Sequence, residues 1–338
     1  MKISIVTPSF NQSEFLPQTL ASVLGQPSID LEYVVIDGGS TDGSRELIES
    51  HADRLAWWCS EKDAGQYDAI NKGFSHTTGD VMAWINSSDA YLPWTLRTVR
   101  EIFEAFPEVD WITSLYKTCI AENGGFQSIQ KVPGFSARAF QCGLHGSSTD
   151  TNFIQQETCF WRRSLWDKIG GKIKPDFRYA ADFHLWAEFF DHAPLVGVAA
   201  PLAVFRYHDE QRSTVDRYTG EVDEIISGHA LNWKTNEPCP VQNLYRAHPS
   251  DKAVGTTRQG WRLETIPDDG ILFEMADIDN ALHNKEIVIR ELAGVAEERL
   301  ACIEDMKRAV DDLRVKADLK YQLRTTVQSY LKRLSGSK

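Results

Sequence analysis

Short apolar, β-branched runs alternate with amphipathic stretches over the first half of the chain. Residues 3–7, 31–37, 55–59, 81–85 and 109–113 read as strands. Ser13 can cap a helix ending near Leu24, and Thr41 or Asp42 a second ending near Ser50, while residues 66–76 and 93–106 supply two more. Strand and helix in strict alternation predict a mostly parallel sheet with helices on both faces.

In such sheets the ligand crevice lies beyond the carboxyl ends of the strands. Three of those ends are polar: Thr7-Pro8-Ser9-Phe10-Asn11, Asp37-Gly38-Gly39-Ser40-Thr41-Asp42-Gly43 and Asn86-Ser87-Ser88-Asp89. They are expected to converge on one edge. Residues 115–151 lose the periodicity and read as Gly- and Ser-bearing lid or acceptor-side loops. Order returns at 160–169, with a helix over 179–191 and an apolar strand over 195–205. Residues 232–267 carry Pro238, Pro240, Pro249 and Pro267 with little pattern, which reads as a linker.

The last segment differs in kind. Ile289, Ala296, Ile303, Val310 and Ala317 recur every seven residues, with Leu292, Met306 and Leu313 three further on. This predicts a coiled-coil seam over 282–334, a helix roughly 80 Å long that would join copies of the chain into a homo-oligomer. Arg299 and Lys320 interrupt the seam, so a helix packed back on the globular body stands as the alternative. The expected division is therefore 1–231 as the α/β domain, 232–270 as linker or extension and 271–338 as the helical tail.

Composition narrows the function. With 42% hydrophobic and 25% charged residues in 338, the chain is of ordinary globular type. A net charge of −12 argues against a broad grip on nucleic acid, so an anionic ligand must be held locally. The six cysteines form no CxxC and no zinc-like spacing, which fits a reducing cytoplasm. The longest apolar run, 193–205, is broken by Pro194 and Pro201 and is too short to span a bilayer.

Asp37 sits on a Gly-Gly turn where a ligand can approach the backbone, and an acid at a strand tip can accept hydrogen bonds from a base edge or ribose. No GxGxxG follows the first strand, which disfavours a dinucleotide site. The absence of a Gly-rich basic loop there equally disfavours a nucleotidylyltransferase. Downstream, Glu61-Lys62-Asp63-Ala64-Gly65-Gln66-Tyr67-Asp68-Ala69-Ile70-Asn71-Lys72-Gly73 leads through Gly79-Asp80 into Val81-Met82-Ala83-Trp84-Ile85 and the Asn86–Asp89 tip.

Taken in order, these motifs resemble the family 2 glycosyltransferases of GT-A fold. The resemblance extends over residues 1–210 through Phe160-Trp161-Arg162-Arg163, Gly170-Gly171, Tyr179-Ala180-Ala181-Asp182-Phe183-His184-Leu185-Trp186 and Phe205-Arg206-Tyr207-His208-Asp209. It implies inverting transfer of a sugar from a nucleotide-sugar, UDP-linked before dTDP or GDP, with Mn²⁺ or Mg²⁺ on the diphosphate. Thr7, Pro8, Phe10, Asn11, Asp37, Lys62, Asp63, Asn71 and Ser88 are then the donor-binding candidates, and Trp161 and Arg163 the acceptor-side ones. Gln155, Gln156 and Glu157 are further candidates for the acceptor loop.

Asp182 matches the family's general base, which takes the proton from the attacking acceptor hydroxyl. Asp89 and His208 are the expected metal ligands, and Arg206 or Arg212 offers an alternative contact to phosphate. One departure stands out: Ser88 occupies a place where the family often has an acid, leaving Asp89 as the tip's lone carboxylate. The acceptor implied is a saccharide, including one on a lipid carrier, which would put the work at the inner face of the membrane. The rival reading, a non-catalytic nucleotide-sugar-binding assembly protein built around the coiled coil, draws its support from that weakened tip.

Overall fold

The computed structural model describes residues 1–141, 145, 153–174, 176–208, 215–230, 243–249 and 260–267. The chain divides into two units, Met1–Glu274 and Met275–Lys338, and the second, with the expected coiled coil, lies outside the described residues. Gln211 and Arg212 lie outside them as well.

The amino-terminal half runs β1 (Lys2–Ser9), α1 (Leu16–Leu24), β2 (Asp30–Asp37), α2 (Ser44–Glu49), β3 (Trp57–Ser60), α3 (Gln66–Ser75), β4 (Val81–Trp84), β5 (Ala90–Tyr91) and α4 (Thr95–Ala105). There follow β6 (Trp111–Ser114), β7 (Tyr116–Ile120), β8 (Phe126–Lys131), α5 (Ala137–Gln141), β9 (Phe160–Arg162), α6 (Arg163–Lys168) and α7 (Ala181–Phe190). The described part closes with β10 (Leu195–Val198), β11 (Ala203–Arg206), α8 (Val215–Ala230), β12 (Asn243–Pro249) and β13 (Trp261–Pro267).

Among the described residues nine strands form the main sheet, in the order β13-β12-β10-β6-β9-β4-β1-β2-β3. The pairs β1–β2, β1–β4, β2–β3, β6–β10 and β10–β12 are parallel, as the strand–helix alternation predicts. Central β9 runs antiparallel to both neighbours. Register brings the strand ends level: Ser9 pairs with Asp37, and Asp37 with Ser60. The polar tips of β1, β2 and β3 thereby share one edge. Ile3, Ile5, Val6, Val34 and Val35 are fully buried, as strands covered on both faces must be. Helix α3 comes down on this sheet at Gly73, where a Cβ would lie 2.4 Å from Val6 Cγ1.

A second sheet, β5-β11-β7-β8, rises beside the β4 tip, because β5 begins directly after Asp89. Behind the tip Trp84, Trp111, Trp161 and Trp186 pack as one fully buried aromatic cluster. Trp186 stacks on Trp84 at 5.9 Å and on Trp111 at 5.7 Å between ring centroids, and these contacts seat α7 on the sheet.

Three expectations are corrected. The stretch 115–151 is not all loop: it carries β7, β8 and α5, and β8 escapes the pattern because this outer edge strand is largely exposed and polar. The single strand over 195–205 is two, split at Pro201 and assigned to different sheets. The supposed linker contains β12 and β13, which extend the main sheet with Leu244 and Ala247 buried, while Pro249 and Pro267 end the strands. Among the described residues no helix is long and apolar enough to cross a membrane.

Candidate active site at the carboxyl ends of the strands

The tips of β1 to β3 are tied together by Asp37, which is fully buried. Its carboxylate accepts from Ser40 N at 2.9 Å, Gly39 N at 3.2 Å, Ser60 Oγ at 2.6 Å and Ser40 Oγ. The Gly38 amide closes the turn on Ser9 O at 2.8 Å. Asp37, placed by the resemblance against a base or ribose, thus shapes the crevice from within.

Asn11 joins the same turn. It adopts φ 50°, a left-handed conformation that Asn tolerates, its Oδ1 accepts from Thr41 N at 3.0 Å, and its own amide donates to Ser40 Oγ at 2.8 Å. Phe10 points outward, 60% exposed. Gly38 lies beneath Phe10 and Asp63: a Cβ there would come within 3.2 Å of the Phe10 ring and 3.0 Å of Asp63 Oδ2. Asp63 also accepts from Gly65 N at 2.8 Å. Lys62 is exposed, with its backbone packed against Gly39. An aromatic face, an acid and a cation therefore border one glycine floor.

The β4 tip is organised by amides. Asn86 Oδ1 accepts from Gln66 Nε2 at 2.7 Å, and Asn86 Nδ2 donates to Gln156 Oε1 at 3.2 Å and Asp89 Oδ2 at 3.4 Å. Gln156 in turn donates to Trp84 O at 2.8 Å. Asp89 is 1% exposed, and its Oδ1 accepts from the Arg206 amide of β11 at 3.0 Å. The Arg206 guanidinium donates to Ser88 O, Ala121 O and Glu122 O and to the Gln18 side chain, and lies over the Phe15 ring. This arginine staples the two sheets and is not presented to a phosphate. His208, two residues on, packs tilted against the same Phe15 ring, 4.8 Å between ring centroids, just before α1.

Three buried carboxyls gather behind this tip. Burial pushes Asp89 up to about 7, against the lowering effect of the Arg206 amide and Asn86. Glu157, 2% exposed and with no hydrogen bond to its Oε1 among the described residues, is pushed well up by burial and by the neighbouring charges of Asp89 and Asp182. Asp182 occupies the first turn of α7, its Oδ1 accepting from Phe183 N at 2.8 Å and Tyr218 Oη at 3.3 Å. Burial raises it to about 6, more than those two hydrogen bonds lower it. A carboxyl titrating there is ionised at neutral pH yet basic enough to accept a proton. The α8 residue Glu221 fixes the approach to α7 by accepting from the amides of Arg178, Tyr179 and Ala180.

Several expected site residues lie elsewhere. Thr7 and Pro8 are inside β1, which runs two residues further than expected; Thr7 is fully buried with its hydroxyl on Tyr33 Oη at 2.9 Å. Asn71 spends both amide atoms on the backbone of Ile173, at 2.8 Å each. Trp161 is fully buried in the aromatic cluster, and Arg163 binds Gly79 O and Thr77 Oγ1 at the amino-terminal end of β4. Antiparallel β9 explains both: its carboxyl end points to the sheet edge opposite the crevice.

The residues also test the expected metal. Among the described residues no group of three or more His, Cys, Asp or Glu is arranged to hold one. A hard divalent cation needs accessible oxygen ligands, whereas Asp89 is buried and bonded through both oxygens. Asp89 with His208 does not fit the metal site the resemblance implied.

A mainly parallel sheet with level polar strand ends and an acid-bearing helix behind them is the GT-A type of α/β architecture. Residues 1–349 of S. aureus TarS, solved with UDP-GlcNAc, share this fold at TM-score 0.54 and 17% identity, over 70% of this chain and 68% of that one. So does a mannosyltransferase from Pyrobaculum calidifontis solved with GDP-Man and Mn²⁺, at TM-score 0.50 and 17% identity over 70% and 67%. Residues 4–168 match the model of glycosyl transferase family 2. An uncharacterized glycosyltransferase of Mycobacterium tuberculosis is 31% identical over 195 residues, 57% of this chain and 69% of that protein. The chain belongs to glycosyl transferase family 2 and is a glycosyltransferase; the non-catalytic assembly reading is not favoured.

Proposed function

We propose that the chain transfers a sugar from a nucleoside-diphosphate sugar to a saccharide hydroxyl in one displacement with inversion, Asp182 acting as general base. The observation that carries this reading is the placement of Asp182: first turn of α7, raised to about 6 by burial, in electrostatic contact with the carboxyl behind the β4 tip. A base of that strength accelerates proton removal typically ~10² to 10⁴-fold. The Tyr218 hydroxyl holds the place at Asp182 Oδ1 that an acceptor hydroxyl would take.

The donor's base is assigned to the exposed Phe10 face and Asp63, over Gly38, and its diphosphate to the side of the crevice with Lys62 and Ser88. UDP is the preferred nucleotide, supported by the fold neighbour holding UDP-GlcNAc; the neighbour holding GDP-Man keeps GDP among the donors to test. The acceptor class is a saccharide, including lipid-linked ones at the cytoplasmic face of a membrane. The heptad tail is assigned to self-association.

Incubation with UDP-, dTDP- and GDP-sugars, following nucleoside diphosphate release and the anomeric configuration of the product by NMR, tests this reading. Release with inverted configuration is expected, and a retained configuration overturns the one-step mechanism. Removing residues after Pro267 is expected to lower the subunit number in solution; an unchanged number contradicts the tail assignment.

A further inference from the structure

We propose that this glycosyltransferase binds its donor without help from a divalent cation, the place of a cation-binding carboxylate being taken by Ser88 and the adjacent acid being built into the scaffold. The inference rests on the nucleotide-sugar reading above and concerns how the same site meets the diphosphate charge.

The side-chain oxygens of Asn86 and Asp89 and the main-chain oxygen of Ser88 at the β4 tip already accept hydrogen bonds. Asp89 Oδ1 is the acceptor for the Arg206 main-chain amide, and Oδ2 for Asn86 Nδ2. Turning this carboxylate outward would leave the amide that joins β11 to the tip without its partner in a buried place. Asn86 Oδ1 is engaged as well, accepting from Gln66 Nε2 at 2.7 Å. Ser88 gives its main-chain oxygen to Arg206 Nε at 3.0 Å, which leaves only a neutral hydroxyl.

Among the described residues the other buried acids do not substitute. Glu157 lies next to Gln156, which binds Asn86, and is 2% exposed; Asp182 sits on α7 beneath the Tyr218 hydroxyl. Mg²⁺ and Mn²⁺ are held by accessible oxygen ligands in near-octahedral sets, and a lone serine hydroxyl does not start such a set. The groups assigned to the diphosphate oxygens are instead the Ser88 hydroxyl and the exposed Lys62 side chain, whose main-chain amide lies against Gly39.

Two measurements on the full chain test this. Calorimetric titration with UDP should give dissociation constants within about threefold in EDTA and in Mn²⁺, while Ser88→Asp should bind at least about tenfold tighter in Mn²⁺ than in EDTA. Electron paramagnetic resonance of Mn²⁺ with UDP should match the protein-free control for the wild type and show bound ion for Ser88→Asp. A tenfold or greater loss of wild-type affinity in EDTA, or stoichiometric Mn²⁺ on the wild-type protein, overturns the proposal. So does a Ser88→Asp protein of unchanged melting temperature that gains no Mn²⁺. If UDP, GDP and dTDP all fail to bind, the donor reading is what falls, and Mn²⁺ binding by the protein alone still decides the present point.

Discussion

The hydroxyl of Tyr218, on α8, donates to Oδ1 of Asp182, in the first turn of α7, at 3.3 Å. This contact stabilises the carboxylate and works against the burial that raises Asp182 to about 6. Tyr218→Phe keeps the ring and removes the hydroxyl, so the acid limb of the kcat/KM profile should move above pH 6. An unshifted limb would separate Tyr218 from the catalytic ionisation.

Phe10 is the exposed ring above the Gly38 floor. Stacking of a base on an aromatic side chain contributes about 1–3 kcal/mol. Phe10→Ala should therefore raise the donor KM about 5- to 150-fold while leaving kcat at saturating donor nearly unchanged. Steady-state kinetics with varied donor checks this, and a fall in kcat alone would contradict it.

Asp89 gives the fold a pH dependence of definite sign. Its folded value is about 7 because of burial, against an unfolded value near 4. Between those values the native state holds a proton that the unfolded chain has lost, so stability contributed by the neutral form is lost as pH rises from about 4 through about 7. Asp89→Asn preserves an acceptor for the Arg206 amide and cannot ionise. Melting temperatures of the variant should fall less between pH 5 and pH 8 than those of the wild type.

Trp186 links α7 to β4 and β6 through stacked contacts with Trp84 and Trp111. Trp186→Ala leaves a cavity in this cluster and should cost about 3–5 kcal/mol in chemical denaturation. Because α7 carries Asp182, loss of activity should accompany the loss of stability.

Much of the architecture was legible from periodicity, because β1, β2, β4 and β6 carry short apolar, largely β-branched stretches that are buried on both faces. Strand β8 was not, since an exposed edge strand imposes no apolar alternation. The pair β12 and β13 was hidden by flanking prolines that mark strand ends as readily as linkers. For the site, residue type alone located the tips but not the direction of each side chain. Asp37 and Phe10 lie one residue apart from glycine or asparagine turns in much the same kind of sequence, yet one is fully buried and the other open. Trp161 and Arg163 were assigned to the wrong edge because strand direction is set by long-range pairing with β4 and β6. Glu157 sits in a short 3₁₀ turn, Gln156–Thr158, and only its packing behind the Asn86–Gln156 contact distinguishes it from a loop acid.

The role of Asp182 is tested most directly by nucleoside diphosphate release from Asp182→Asn in the presence of donor and acceptor. Substitution should lower kcat by ~10² to 10⁴-fold with donor affinity by calorimetry little changed. A variant that binds donor and still turns over at more than about a tenth of the wild-type rate would contradict Asp182 as the base.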